Sequence, residues 1–188
     1  MLGSLLKGAR GAAAAPLRLH LGGTRPHPEW KILNVQAGQG VDYVGDCTDL
    51  SRFADASVSE VYASHVLEHL GYVDLPRALT EIRRVLIPGG TLRISVPDLE
   101  VLGAWVADRA LSRQERFDVM RMMFGGQSDA YDFHKVGLSW DILEDLLEQQ
   151  GFAAIERVER FGLFDDASEI RFRERLVSLN VAARKPGA

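Results

Sequence analysis

Four groups of residues in this chain have types and spacings that chemistry can use. Gly22 and Gly23 follow the run Leu17 to Leu21, and a glycine pair at a strand end lets the backbone approach a ligand with no Cβ in the way. Gly45-Asp46 sets a carboxylate after the run Val41 to Val44, at the point where an open parallel sheet binds its ligands. His65-Val66-Leu67-Glu68-His69 brackets a carboxylate with two imidazoles four residues apart on one helical face, a spacing suited to gripping a metal ion, moving protons or fixing the start of a helix. His134 lies in the run from Phe124-Gly125-Gly126-Gln127 to Tyr131-Asp132-Phe133-His134-Lys135, whose glycines and aromatics suit a lid, and it is placed there to take a proton.

The elements that must position these groups alternate. Strands are expected at Leu17 to Leu21, Ile32 to Val35, Val41 to Val44, Val58 to Ala63 and Thr91 to Val96. Leu75, Leu79, Ile82 and Leu86 fall at helical spacing, and Pro88-Gly89-Gly90 ends that helix. Three more helices follow, from Leu99 to Ala110, Gln114 to Met123 and Trp140 to Gln150, the last capped by Ser139 and stopped by Gly151. Closing strands are expected at Ala154 to Arg160 and Leu176 to Ala183, so the class is α/β. Only residues 25–31 separate the first glycine turn from the second strand, which is too short for a full crossover helix. A shortened helix or a loop is expected there.

The chain of 188 residues is 46% hydrophobic and 26% charged, enough for one globular domain over residues 17–188 behind an N-terminal extension over 1–16. No long apolar stretch is present, so a soluble protein is expected. A net charge of −4 argues against a general nucleic-acid binder, which would carry a basic face. Five basic residues stand against one acid in residues 1–35, so a weak anionic contact is possible there. The single cysteine, Cys47, excludes an internal disulfide and suits a reducing cytoplasm. Oligomeric state is not legible.

The runs VGDCTDLSRF, ASHVLEHL, RRVLIPGGTLRISVPDL and MMFGGQ with YDFHKVGLSWDILEDLLEQQGF resemble the class I S-adenosylmethionine (SAM) dependent methyltransferases. They are similar in particular to small bacterial methyltransferase-domain proteins found among glycan and cell-surface polysaccharide genes. The resemblance implies a Rossmann-like, seven-stranded, mostly parallel sheet with an antiparallel last strand and helices on both faces. It implies SAM as cofactor: Gly22 and Gly23 against its methionine part, Gln36 at the ribose, Asp46 on the adenine amino group, the Cys47 backbone amide on a ring nitrogen and His65 lining the pocket. Two positions depart from the family pattern. Thr24 stands where a further glycine is usual, and Gln36 replaces the usual Asp or Glu with a neutral acceptor.

For the transfer itself the resemblance implies an acceptor hydroxyl on a sugar or cell-surface glycan precursor, with His134 as its base and His65 or Asp98 as the next candidates. The alternative is a catalytically silent protein of the same fold that binds a nucleotide-like ligand or a partner. The H-x-x-E-H run also spells the inverzincin metalloprotease signature, but no distant glutamate in a helical context completes such a site. A divalent ion near the acceptor, as some small-RNA methyltransferases hold at this junction, is a further alternative. The reading adopted expects no metal, with His65 lining the cofactor pocket and Glu68-His69 holding the helix start.

Overall fold

A computed structural model describes residues 15–187, so nearly all of the expected extension over 1–16 lies outside the described residues. The strands are β1 (Leu17–Leu21), β2 (Lys31–Asn34), β3 (Tyr43–Val44), β4 (Val58–Ser64), β5 (Leu86–Pro97), β6 (Ala153–Arg157), β7 (Arg171–Phe172), β8 (Arg175–Leu176) and β9 (Ser178–Arg184). Seven of them form one sheet in the order β3-β2-β1-β4-β5-β9-β6, while β7 and β8 make a separate ribbon. β1 to β5 pair in parallel, and β9 runs antiparallel between β5 and β6. This is the Rossmann-like α/β arrangement expected. The chain moves outward from β1 to β3 and then returns to β4 beside β1, so the strand order reverses there and opens a crevice at the strands' carboxyl ends.

Helix α1 (Asp74–Val85) buries Leu75, Ala78, Leu79, Ile82 and Val85, the stripe its 3.6-residue period dictates. That stripe packs with Leu19, Leu21, Val61, Ala63 and Ile94 from the sheet, joined by Leu143 and Leu147 of α4 (Trp140–Gln149). Each such leucine contributes about 1.5–3 kcal/mol when fully buried. Between them in sequence, α2 (Leu99–Ala107) and α3 (Arg113–Phe124) form a second cluster through Leu102, Trp105 and Val119, with Phe172 of β7 packed against it.

The opposite face of β1, β2 and β4 is covered differently. Side chains alternate along a strand, so Leu19 and Leu21 enter the core while His20, beside Ile32 and Tyr62 in register, points the other way. Residues 22–30 contain no helix and fold over this face with Trp30 buried. Phe164 stacks on Tyr62 at 5.0 Å, meets Trp30 at 5.5 Å and lies 4.2 Å from His20. An aromatic cluster thus stands where a crossover helix would pack.

Several expected boundaries need correction: α1 ends at Val85 and Pro88-Gly89-Gly90 lies within β5 instead of ending the helix, β3 starts at Tyr43 rather than Val41, and the closing strand expected from Leu176 divides into β8 and β9. α2 ends at Ala107, with Asp108 as C-cap, rather than at Ala110. The strand expected to run to Arg160 stops at Arg157 after the register shift between Ala153 and Glu156. Ser139 occupies the N-cap position of α4, but its hydroxyl donates to the Asp141 carboxylate and caps no backbone amide.

Candidate active site

A cleft of about 270 Å³ opens at the carboxyl ends of β1 to β4 and is lined by Gly22, Gln36, Asp46, Cys47, His65 and Phe133 among others. A larger depression of about 530 Å³ lies by Thr91, Arg93 and Arg184, at the amino end of β5 and so at the opposite edge of the sheet. Ligand chemistry in this fold belongs at the carboxyl ends.

At the β1 side the turn depends on Gly22. Its φ of +74° is a left-handed conformation, and a Cβ there would stand 2.3 Å from Val66 Cγ2. Its amide donates to the Leu33 carbonyl at 2.8 Å. Gly23 sits behind the cleft rather than on it, buried with a would-be Cβ 2.6 Å from the His20 ring. Asn34 secures the turn: its amide donates to the carbonyls of Gly22 at 3.0 Å and Gly23 at 3.1 Å, while its Oδ1 accepts from the Gln36 amide at 2.9 Å. Gln36 is exposed at the rim. An Asn ending the second strand is the signal that sequence reading passed over.

The next turn carries Asp46, which lines the cleft and whose Oδ1 accepts from Thr48 N at 2.8 Å. This turn is tied to α1: Glu81 accepts from Leu50 N at 2.9 Å, and Arg84 donates to the Leu50 and Phe53 carbonyls at 2.9 and 3.0 Å. Cys47 is buried, and burial, reinforced by the neighbouring Asp46 charge, pushes its thiol up to about 12. It is a wall and not a nucleophile.

Across the cleft the two histidines of H-x-x-E-H do not share a helix. His65 directly follows β4 with φ +52°, and Leu67–His69 form a single 3-10 turn separated from α1 by residues 70–73. The expectation of one helical face, and of a pair holding the helix start, is therefore corrected. The left-handed backbone turns the His65 ring between two partners, with Nε2 2.9 Å from Ser178 Oγ and Nδ1 3.2 Å from Glu68 Oε1. Glu68 is only 1% exposed, and neither carboxylate oxygen has a well-formed hydrogen bond. Its carbonyl accepts from Lys135 N at 2.8 Å, which ties the lid segment to this turn.

The lid is closed on itself through Asp132, which accepts from Gly126 N, Ser128 N and Ser128 Oγ at 3.2, 3.1 and 2.8 Å. His134 points inward: Nδ1 faces the Met123 carbonyl at 3.2 Å and Nε2 lies 3.9 Å from Glu68 Oε1. Burial pulls its imidazole below the ordinary histidine value, against the opposing pull of Glu68. Phe133 and Lys135, its neighbours, line the cleft in its stead. Asp98 is not in this cleft. Its carboxylate caps α2 by accepting from Glu100 N and Val101 N at 3.0 and 3.3 Å, and it lies 3.4 Å from Arg157.

Residues 11–94 match the family described as methyltransferase domain. A SAM dependent methyltransferase from Archaeoglobus fulgidus is similar over 92% of this chain and 87% of its own, at 16% identity and a TM-score of 0.60. The 1,6-didemethyltoxoflavin-N1-methyltransferase of Burkholderia thailandensis, solved with S-adenosylhomocysteine, is similar over 91% of this chain and 72% of its own, at 15% identity and a TM-score of 0.54. CurJ carbon methyltransferase matches 95% of this chain at 15% identity and a TM-score of 0.55, and the present chain spans 50% of its length. No curated protein matches by sequence. At these identities the structural likeness establishes the fold. The match over residues 11–94, 84 of the 188 residues, is to a methyltransferase domain.

Proposed function

We propose that this chain is a SAM-dependent O-methyltransferase whose acceptor is a hydroxyl of a sugar or cell-surface glycan precursor. The observation that carries the hydroxyl reading is the crowding of His65, His69 and His134 around Glu68 at the β4 side of the cleft. A hydroxyl has a pKa far above neutral and needs a proton acceptor, whereas an amine or thiol needs one much less. The glycan class rests on the resemblance of the VGDCTDLSRF and ASHVLEHL runs, and exposed Tyr131 and Phe133 supply aromatic faces suited to a sugar ring.

The cleft suits the cofactor. Gly22 leaves room that a Cβ would fill, Leu33, Cys47, Val66 and Leu70 offer apolar walls, and Asp46 and Gln36 offer acceptors at the rim. Following the resemblance, Gly22 would face the methionine part, Gln36 the ribose and Asp46 the adenine amino group. Bound SAM supplies an electrophilic methyl on a sulfonium. The protein's part is to hold the acceptor in line with that methyl, exclude water beneath the lid and take the proton.

No helix among the described residues is long and apolar enough to cross a membrane, and a cytoplasmic location suits the lone buried thiol. A second reading, a silent binder of the same fold, is favoured by the neutral Gln36 and by Thr24. Calorimetric titration with SAM and S-adenosylhomocysteine, followed by transfer of labelled methyl to nucleotide sugars and lipid-linked glycans, separates the two. Binding with labelling of a hydroxyl supports the enzyme. Binding with no label in the panel or in lysate supports the silent binder, and absence of binding at millimolar ligand overturns the enzyme.

A further inference from the structure

We propose that Glu68, His69 and His134 form a binding site for one divalent transition-metal ion at the acceptor end of the cleft. Their ligand atoms all lie within 4.8 Å of one another, and Glu68 Oε1 and His134 Nε2 are 3.9 Å apart. Ligands that share an ion at about 2.0–2.2 Å stand about 3.4 Å apart along a tetrahedral edge, so the three side chains need close by little more than about 1 Å.

Two independent features aim this cluster at a cation. The first is the buried Glu68 carboxylate, whose two oxygens both lack a hydrogen-bond partner. A carboxylate withdrawn from water without donors is costly, and a cation is the partner that removes the cost. His65 Nδ1 lies 3.2 Å away but does not complete a hydrogen bond, so it orients the carboxylate without satisfying it.

The second feature is the tautomer imposed on both imidazoles. His69 Nδ1 faces the Phe133 carbonyl at 3.2 Å, and His134 Nδ1 faces the Met123 carbonyl at 3.2 Å. A carbonyl only accepts, so each Nδ1 carries the proton and each Nε2 presents a lone pair. A ring nitrogen bonded to a backbone carbonyl while the other faces the ion is the arrangement that orients metal-bound histidines. The rings meet edge to face, their centroids 4.8 Å apart.

Two nitrogens, one carboxylate and no thiolate select zinc, manganese, cobalt or iron(II) over magnesium or calcium, which prefer all-oxygen shells. Three protein ligands leave open positions, and His69 and Phe133 border the cleft. The role, though not the binding, rests on the methyl-transfer reading. With the ion bound, the imidazoles of His69 and His134 serve as ligands and the metal takes over their part in deprotonation: a hydroxyl held at an open position would be acidified and lose its proton to solvent. Its oxygen then forms the new C–O bond as the sulfonium C–S bond breaks, leaving a methyl ether, a neutral thioether and one proton.

The test is metal content of the purified chain after chelator treatment and dialysis against zinc, manganese or cobalt(II), with cobalt absorbance reporting the ligand field. One equivalent of bound ion, a tetrahedral or five-coordinate cobalt spectrum and a higher melting temperature with metal are expected. Glu68→Gln and His134→Gln should each lower metal affinity at least about a hundredfold and abolish the melting shift, while SAM still binds. His69→Gln gives the same readout should either variant fail to fold. Substoichiometric metal in wild type, or affinity unchanged in folded variants, overturns the site. SAM binding measured in parallel separates the readings: metal without SAM leaves the site standing alone, and SAM without metal removes only the site.

Discussion

The two ends of the cleft are made of different materials. At β1 to β3 the ligand meets backbone groups and neutral side chains, a glycine turn clamped by Asn34 with one carboxylate, Asp46, at the rim. At β4 the cleft is bordered by His65 and His69, with His134 and the buried Glu68 carboxylate behind them. Each end also has a buried polar group lacking a partner, His20 Nδ1 behind the first and the Glu68 oxygens at the second. His20 resolves the conflict by staying uncharged among aromatics, its pKa lowered to about 4 by burial despite the nearby Asp166. Glu68 is instead surrounded by imidazoles. On the proposed reading, the contrast separates a binding end, where shape is enough, from an end equipped to handle protons or cations.

The contrast can be broken most strongly through acid. The folded state holds His20 neutral, so the unfolded chain binds that proton more tightly. Stability from this residue is full above pH 6.5 and drains as pH falls toward about 4. A loss of about 2–3 kcal/mol across that window is expected in denaturant titrations, and His20→Phe should flatten it. An unchanged slope in His20→Phe would assign the acid sensitivity to other groups. Next in size, Asp46→Ala should weaken SAM binding by about 1.5–3 kcal/mol, the range for a lost hydrogen bond to a charged acceptor. Unchanged affinity in calorimetry would move the adenine away from the β3 turn.

Asp98→Ala sharpens the boundary of the proton-handling end. It should cost about 1 kcal/mol of stability through the lost cap of α2 and leave the methylation rate intact, whereas a collapse of turnover in folded protein would draw Asp98 into the reaction. The smallest effect is expected at the binding end. Gln36→Glu should preserve SAM affinity or raise it by up to about threefold, because a carboxylate makes stronger bonds to hydroxyls than an amide oxygen. A large loss would show that Gln36 faces something other than ribose.

Much of this was legible before the structure because the signals are local. The stripe of Leu75, Leu79 and Ile82, the glycines after Leu21 and the short span to β2 foretold α1, the turn and the missing crossover helix. Asp46 and His65 both line the cleft. What escaped depends on backbone direction or on distant partners. The four-residue spacing of His65 and His69 suggests one helical face, and nothing in the neighbours of His65 announces the φ of +52° that breaks it. Asp98 ends a strand, as a reacting carboxylate in this fold often does, yet its side chain turns back to cap the next helix. His134 was read as facing an acceptor, and its orientation toward Glu68 depends on the lid folding over the 3-10 turn, a pairing across 66 residues that no short motif encodes.

The aromatic cover on the far side of the sheet has a consequence for motion. Gly23 rests on His20, His20 on Phe164, and Arg25 reaches Asp165 at 2.7 Å across 140 residues of chain. The glycine turn is thereby backed by the segment just beyond β6 and not by a helix of its own. Hydrogen exchange at the Gly22 amide should keep pace with exchange in residues 161–169, the two opening as one unit although they lie near opposite ends of the sequence.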